Sequence, residues 1–348
     1  MDEIKVLVAD SSLVYKKMFA QGIKGANKNA SVISVSDGNE ANIKIQHNNF
    51  DIIIIDADIS GMNLFELLKV IRIDIPKAFI LVIARPSSAH DKIFPEAISR
   101  GATECMIKPI YDSYSENLDI IKRKITDISS ILCGNCEKEK NSIITGSRAD
   151  DEPFEESFLP DIILIAASTG GPAALETIIT QIRRDFPVPI LIIQHIPANF
   201  TENLARNLDQ KSRIRVKVAE NNETISSGTA YLAPGGAHMK LDENKRIYFD
   251  DSPPRNGVRP AADVLFESVA VNFTGSDVLV IILTGMGSDG KEGLIRLKEK
   301  KECFCLAQSE ETCVVYGMPR AVTEEGLTDK ILDLDMISSW IEDFNHNP

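Results

Sequence analysis

No apolar run in the chain approaches the ~20 residues that a membrane-spanning helix requires. Basic residues are in deficit: 38 Lys and Arg stand against 51 Asp and Glu, a net charge of −13. No basic stripe is left to follow a phosphate backbone or an anionic lipid surface, so nucleic-acid and membrane-surface roles are not expected. The acidic surplus is the ordinary solvated surface and points to no partner by itself. Cysteine is scarce as well, with six in the chain. Cys133 and Cys136 form a CxxC pair, but no second pair stands at zinc spacing, so they read as linker thiols rather than a metal or redox site. Reduced thiols and a start (Met-Asp-Glu-Ile-Lys) that reads as a strand rather than a signal peptide predict a cytosolic protein. No internal repeat or low-complexity tract is present.

What is there is enough for two cores. With 348 residues and 43% hydrophobic content, two domains are the natural expectation. Over residues 4–131, short apolar strands alternate with helical periods, which predicts a doubly wound parallel sheet. Three polar residues fall at the carboxyl ends of its strands: Asp10, Asp56 and Lys108. In such a sheet those ends meet in one crevice. Two carboxylates there can hold a hard Mg²⁺ ion, and a lysine beside them can pair with a phosphoryl oxygen. An Asp at a strand end can equally be a turn residue.

These residues resemble a response-regulator receiver domain. The resemblance implies a flavodoxin-like fold, Asp56 as phosphoacceptor, Lys108 in support, and a weak Mg²⁺ site at Asp10, Asp56 and Asp58. A histidine kinase is the implied phosphodonor. The sequence also departs from the family. Ala9-Asp10 stands where two adjacent acids are usual, Ala84 where a switch Ser or Thr is usual, and Cys105 where an aromatic is usual. Ser60-Gly61-Met62-Asn63-Leu64 replaces the usual Pro-x-Met-Asp-Gly. Each loss weakens metal binding or the relay from phosphate to surface. Asp56 is therefore expected to be phosphorylated poorly, or to transmit its phosphorylation poorly.

Residues 132–158 lose both periods and carry an acidic cluster, as a linker would. Residues 159–345 then form a second α/β domain, read as Rossmann-like with a small β insertion over 214–250. An apolar strand ends at Ser168, followed by Thr169-Gly170-Gly171-Pro172 and a helix with Pro172 in its first turn. A second strand ends at Gln194-His195, and a third is followed by Thr284-Gly285-Met286-Gly287-Ser288-Asp289-Gly290. Parallel strands would bring Ser168, His195 and Asp289 into one crevice as nucleophile, general base and orienting acid. A serine hydroxyl is too weak an acid to attack unaided at neutral pH, and an imidazole, titrating near 6.5 when free, can take its proton. Other readings stay open from the residues alone. His195 could be a satisfied core histidine, and Asp289 a helix N-cap. The Gly-rich turns could hold a phosphate or nucleotide, although no P-loop lysine or dinucleotide fingerprint accompanies them.

This half is similar, almost from end to end, to the catalytic domain of the chemotaxis protein-glutamate methylesterase family. Residues 167–172, 194–197 and 284–290 match its nucleophile, histidine and aspartate motifs. Residues 231–235, Arg259-Pro260, residues 263–266 and residues 316–320 match further blocks. The resemblance implies hydrolysis of glutamyl methyl esters on the cytoplasmic region of methyl-accepting chemoreceptors, with deamidation of specific glutamines a further activity. It implies an oxyanion site at Met286 and Thr169, and no cofactor for catalysis. It also implies that the unphosphorylated receiver covers the crevice. A signalling adaptor with a vestigial esterase is the alternative.

Overall fold

Runs such as Ile52-Ile53-Ile54-Ile55 and Ile162-Ile163-Leu164-Ile165 are apolar on both faces of a strand. Only a sheet covered on both sides can bury them, which means parallel strands with helical crossovers. The computed structural model describes residues 4–86, 90–110, 113–138, 160–196 and 198–343. They fall into two units, Met1–Ala149 and Asp150–Pro348.

In the first unit the order is β1 (Lys5–Ala9), α1 (Leu13–Ala26), β2 (Ser31–Val35), α2 (Gly38–His47), β3 (Ile52–Asp56), α3 (Leu64–Asp74), β4 (Phe79–Ala84), α4 (His90–Ser99), β5 (Glu104–Ile107) and α5 (Tyr114–Lys138). The five strands pair in parallel in the order β2-β1-β3-β4-β5. The chain reverses direction across the sheet between β1 and β3, so the crevice opens beyond their carboxyl ends. α3 starts with a reciprocal cap between Asn63 and Glu66. α5 runs past Ile131, where a break was expected, to Lys138. Its buried Ile121, Ile125 and Ile128 keep helical spacing, whereas Gly134 and Asn135, both poor helix formers, mask the continuation in the sequence. Cys133 and Cys136 fall within this span, but their side chains lie outside the described residues. So do residues 139–159, most of the expected linker.

The second unit contains β6 (Ile162–Ala167), α6 (Gly171–Ile179), β7 (Ile190–Gln194), α7 (Ala198–Lys211), β8 (Arg215–Val218), β9 (Thr229–Leu232), β10 (His238–Leu241), β11 (Ile247–Asp250), α8 (Ala262–Asn272), β12 (Asp277–Ile282), α9 (Lys291–Lys298), β13 (Glu302–Gln308), α10 (Met318–Glu324), β14 (Lys330–Leu332) and α11 (Leu334–Asp343). Seven strands pair in parallel in the order β14-β13-β12-β6-β7-β9-β8. β8 and β9 thus extend the main sheet, and the insertion shrinks to the antiparallel hairpin β10–β11. Strands this short carry too few residues for the pattern to separate parallel from antiparallel partners.

Alternate residues of β6 feed two cores. Ile162, Leu164 and Ala166 pack with α8, α9 and the hairpin, while Ile163, Ile165 and Ala167 pack with α6, α7 and α11. The single tryptophan, Trp340 of α11, stacks on Phe304 of β13 at 5.1 Å. β6 lies between β12 and β7, where the strand order reverses. Among the described residues, no helix is long and apolar enough to cross a membrane.

Candidate active site

Ser168 follows the last residue of β6 and is half-buried. Its backbone is pinned on three sides. Its N–H donates to the Thr284 carbonyl (3.0 Å), and its carbonyl accepts from Gly171 N–H (2.8 Å) and from the Gln194 side chain (2.9 Å). Gly170 then turns the chain with φ +81° and is the N-cap of α6, with Pro172 in the first turn. Packing dictates the next glycine, since a Cβ on Gly171 would lie 2.0 Å from Gln194 Oε1 and 2.8 Å from the Ala167 Cβ. The turn that carries Ser168 is thus clamped at the topological switch point of the sheet, where such folds present ligand sites.

His195 follows β7, the neighbouring strand, and its N–H continues the ladder to the Ala167 carbonyl (3.1 Å). Its Nε2 lies 2.8 Å from Asp289 Oδ2. A proton on Nε2 facing that carboxylate leaves Nδ1 as the basic nitrogen. Asp289, 4% exposed, is not the cap of the helix that follows it; Gly290 takes that place, at φ +97°. Instead its carboxylate accepts the Ala262 N–H (2.6 Å, Oδ2) and the Asp263 N–H (3.1 Å, Oδ1) at the start of α8. The core-histidine reading instead fits His238. It is fully buried, its Nδ1 accepts the Ala261 N–H, and its Nε2 faces the Pro253 carbonyl.

The loop after β12 presses on the serine, and a Cβ on Gly285 would lie 2.8 Å from Ser168 Cβ. Gly285 is held by Val315 and in turn accepts the N–H groups of Gly317 and Met318. Among the described residues, the N–H groups of Thr169 and Met286 have no hydrogen-bond partner. Two unused donors close to Ser168 in the fold are of the kind that would suit a developing oxyanion.

Three buried polar groups that sequence reasoning passed over build this floor. Gln194 holds the Ser168 carbonyl, Thr284 Oγ1 donates to the Thr169 carbonyl (2.9 Å), and Gln308 Oε1 accepts the Thr284 N–H (2.9 Å). Each sits at or just past the end of an apolar strand. A glutamine closing a run such as Ile-Leu-Ile-Ile-Gln was the available signal, because a buried amide must be satisfied by a partner.

In the first unit the expected residues also meet. Lys108 Nζ lies 2.8 Å from both Asp10 Oδ2 and Asp56 Oδ2, all three within 1% of full burial. The contacts lie off hydrogen-bond alignment and act as charge pairs. Burial pushes the Asp10 carboxyl above its ordinary value, against the pull of Lys108 and of the Ser12 N–H. Tyr15 closes the cluster, its ring 4.8 Å from Lys108 Nζ and its hydroxyl donating to the Pro109 carbonyl. Asp58 does not join; its side chain is exposed, and only its N–H reaches Asp56 Oδ1, at 3.4 Å. Among the described residues, no group of three or more His, Cys, Asp or Glu side chains could hold a metal. Two carboxylates, already paired to a lysine, are a thin donor set for a six-oxygen Mg²⁺ shell. Ala84 is buried, and the Cys105 thiol approaches the Phe94 carbonyl at 3.8 Å. Burial pushes that thiol far up, so it stays protonated.

Comparison with known proteins fits both units. Residues 163–341 match the family model of the CheB methylesterase, and residues 6–116 that of the response regulator receiver domain. A protein-glutamate methylesterase/protein-glutamine glutaminase of Geobacillus kaustophilus is 37% identical, covering 98% of each chain. A protein of the same name from Clostridium acetobutylicum is 35% identical over 98% of this chain and 97% of its own. The crystal structure of the Thermotoga maritima CheB methylesterase catalytic domain aligns at 39% identity with a TM-score of 0.50, covering 53% of this chain and 98% of that one.

Proposed function

The chain belongs to the CheB methylesterase family, with a response-regulator receiver domain ahead of the catalytic part, and from that premise we propose the following chemistry. The protein is a cytoplasmic serine hydrolase that removes methyl esters from glutamate side chains of chemoreceptors. The same site deamidates glutamine side chains, since an amide differs from the ester only in its leaving group. The reading assigns residues 1–131 to the receiver, 132–158 to the linker and 159–345 to the esterase. The observation that carries it is the 2.8 Å pair of His195 Nε2 with the buried Asp289 carboxylate, one strand over from Ser168.

His195 Nδ1 removes the Ser168 proton as Oγ attacks the ester carbonyl. Asp289 holds the ring in that tautomer and offsets the charge of the imidazolium. The N–H groups of Met286 and Thr169 receive the oxyanion, each such donor being worth about 3 kcal/mol in the transition state. His195 then protonates the departing methoxide, giving methanol. In the second half it takes a proton from water, which attacks the acyl-enzyme; as the C–Oγ bond breaks, His195 returns that proton to Ser168 Oγ and the glutamate carboxylate is released. Every proton is accounted for within the triad and water, so catalysis calls for no cofactor.

In the receiver, Asp56 accepts a phosphoryl group, with a histidine kinase as donor, and Lys108 pairs with it. Asp10 and Asp56 would hold Mg²⁺, which neutralises phosphoryl charge when bound. The thin donor set argues for weak binding and slow phosphorylation.

Replacing Ser168 with Ala is expected to abolish methanol release from a methyl-esterified chemoreceptor fragment while the melting temperature stays close to the parent's. Undiminished turnover by Ser168→Ala would reject the assignment.

A further inference from the structure

Asp263 is fully buried on the opening turn of α8, and the chemistry above gives it no task. Neither α8 nor α9 has a side-chain cap of its own, their N-caps being Ala261 and Gly290. Each is capped by the carboxylate at the start of the other. Asp289 accepts the Ala262 and Asp263 N–H groups of α8, while Asp263 Oδ1 accepts the N–H groups of Gly290 (3.0 Å) and Gly293 (2.8 Å) at α9. The helices pack too closely for any side chain at Gly293, where a Cβ would lie 2.7 Å from the Asp263 carbonyl oxygen. The other oxygen of Asp263 takes the Asn256 amide at 3.1 Å and faces Arg255 at 3.7 Å. Arg255 is itself paired to Glu267.

We infer that Asp263 is a positioning residue for the catalytic carboxylate, fixing the Asp289–Gly290 peptide and so the direction from which Asp289 meets His195. This rests on the triad reading above and deepens it. The physical case is that Asp289 sits in a loop with no strand ladder of its own. Its carboxylate is aimed by the two α8 N–H groups it accepts, and its backbone is aimed by the next residue's N–H on Asp263. Removing that acceptor orphans two buried donors and frees the loop to pivot. Burial raises the Asp263 carboxyl above its ordinary value, with the charge of Asp289 adding to the effect. Keeping a carboxylate there is thus unfavourable by itself, and the caps it supplies offset this.

Because both N–H groups go to one oxygen, Asp263→Asn keeps the caps, its amide nitrogen meeting Asn256 once that side chain turns its oxygen inward, and Asp263→Ala removes them. In full-length protein assayed by methanol release, Asp263→Ala is expected to lower kcat about 100-fold with KM unchanged, the scale of a small misplacement of a catalytic group. Asp263→Asn is expected to restore most of it. If Asp263→Ala does not fold, Asp263→Ser, whose hydroxyl is too short to reach both N–H groups, gives the same readout. A folded Ala or Ser variant with parental kcat overturns the inference. So does an Asn variant as inactive as Ala, which would assign the role to charge. Asp289→Asn serves as control: if it too keeps full activity, the triad reading itself has failed.

Discussion

Asp10, Asp56 and Lys108 show what burial costs a functional residue. The ammonium stands between two carboxylates, and the cluster holds one more negative charge than it can neutralise internally. Asp10, whose carboxyl is raised mainly by burial, is penalised in its charged form. An acid with a raised folded-state pKa costs stability above that pKa, and the cost disappears as pH falls towards the unfolded value. Asp10→Asn is therefore expected to raise the melting temperature of the receiver unit by a few degrees at pH 8, with the gain shrinking as pH is lowered towards the ordinary carboxylate value of ~3.9. Calorimetry across that range checks it, and a gain that grows on acidification would contradict it. At the same scale, Ser168, His195 and Asp289 stood out as candidates because a hydroxyl, an imidazole and a carboxylate are conspicuous after apolar strands. Gln194, Thr284 and Gln308 were not, because their roles are set by neighbours in space that a linear reading cannot supply. Asp58 came from the resemblance to receivers, and its exposed side chain lies apart from the buried Asp10, Asp56 and Lys108 cluster.

Elements carry the next level of control. The turn from β6 into α6 works only because Gly171 lets the helix start against Gln194. Gly171→Ala would drive a methyl group into that amide, 2.0 Å from Oε1, and loosen the hold on the Ser168 carbonyl. We expect a loss of ~1–3 kcal/mol in stability, typical of overpacking, and a fall in esterase turnover. Chemical denaturation together with methanol release measures both, and a variant with parental values for each would contradict the clamp. Helices α8 and α9 show why pattern alone stops short. Their periods mark them as helices, but their caps come from one another, across 26 to 30 residues of chain. A carboxylate that reads as the N-cap of the next helix turned out to cap the previous one. β8 and β9 were similarly legible as strands but not as members of the main sheet, since four-residue strands carry no record of their partner.

Across the whole molecule the two units differ in completeness. The second unit sets His195 on the Asp289 carboxylate one strand over from Ser168, at one switch point, with every member of the proposed triad present. The receiver unit brings together its acid pair and lysine, yet has buried Ala84 where a hydroxyl would follow the phosphate and Cys105 where a ring would move. This difference was readable in the sequence, because it concerns residue types at strand ends. The consequence is expected in solution: with a small phosphodonor and Mg²⁺, intact mass should show slow, substoichiometric addition to Asp56. Rapid, complete phosphorylation would show that two carboxylates suffice.

The central claim is that Ser168, His195 and Asp289 act as one unit, and members of such a unit do not contribute independently. The direct test compares kcat for methanol release by full-length protein carrying Ser168→Ala, His195→Gln, and both changes together. Each single change is expected to lower kcat by ~10⁴-fold or more, with the double variant no slower than the worse single one. Losses that multiply in the double variant, or a Ser168→Ala protein that still turns over, would contradict the account.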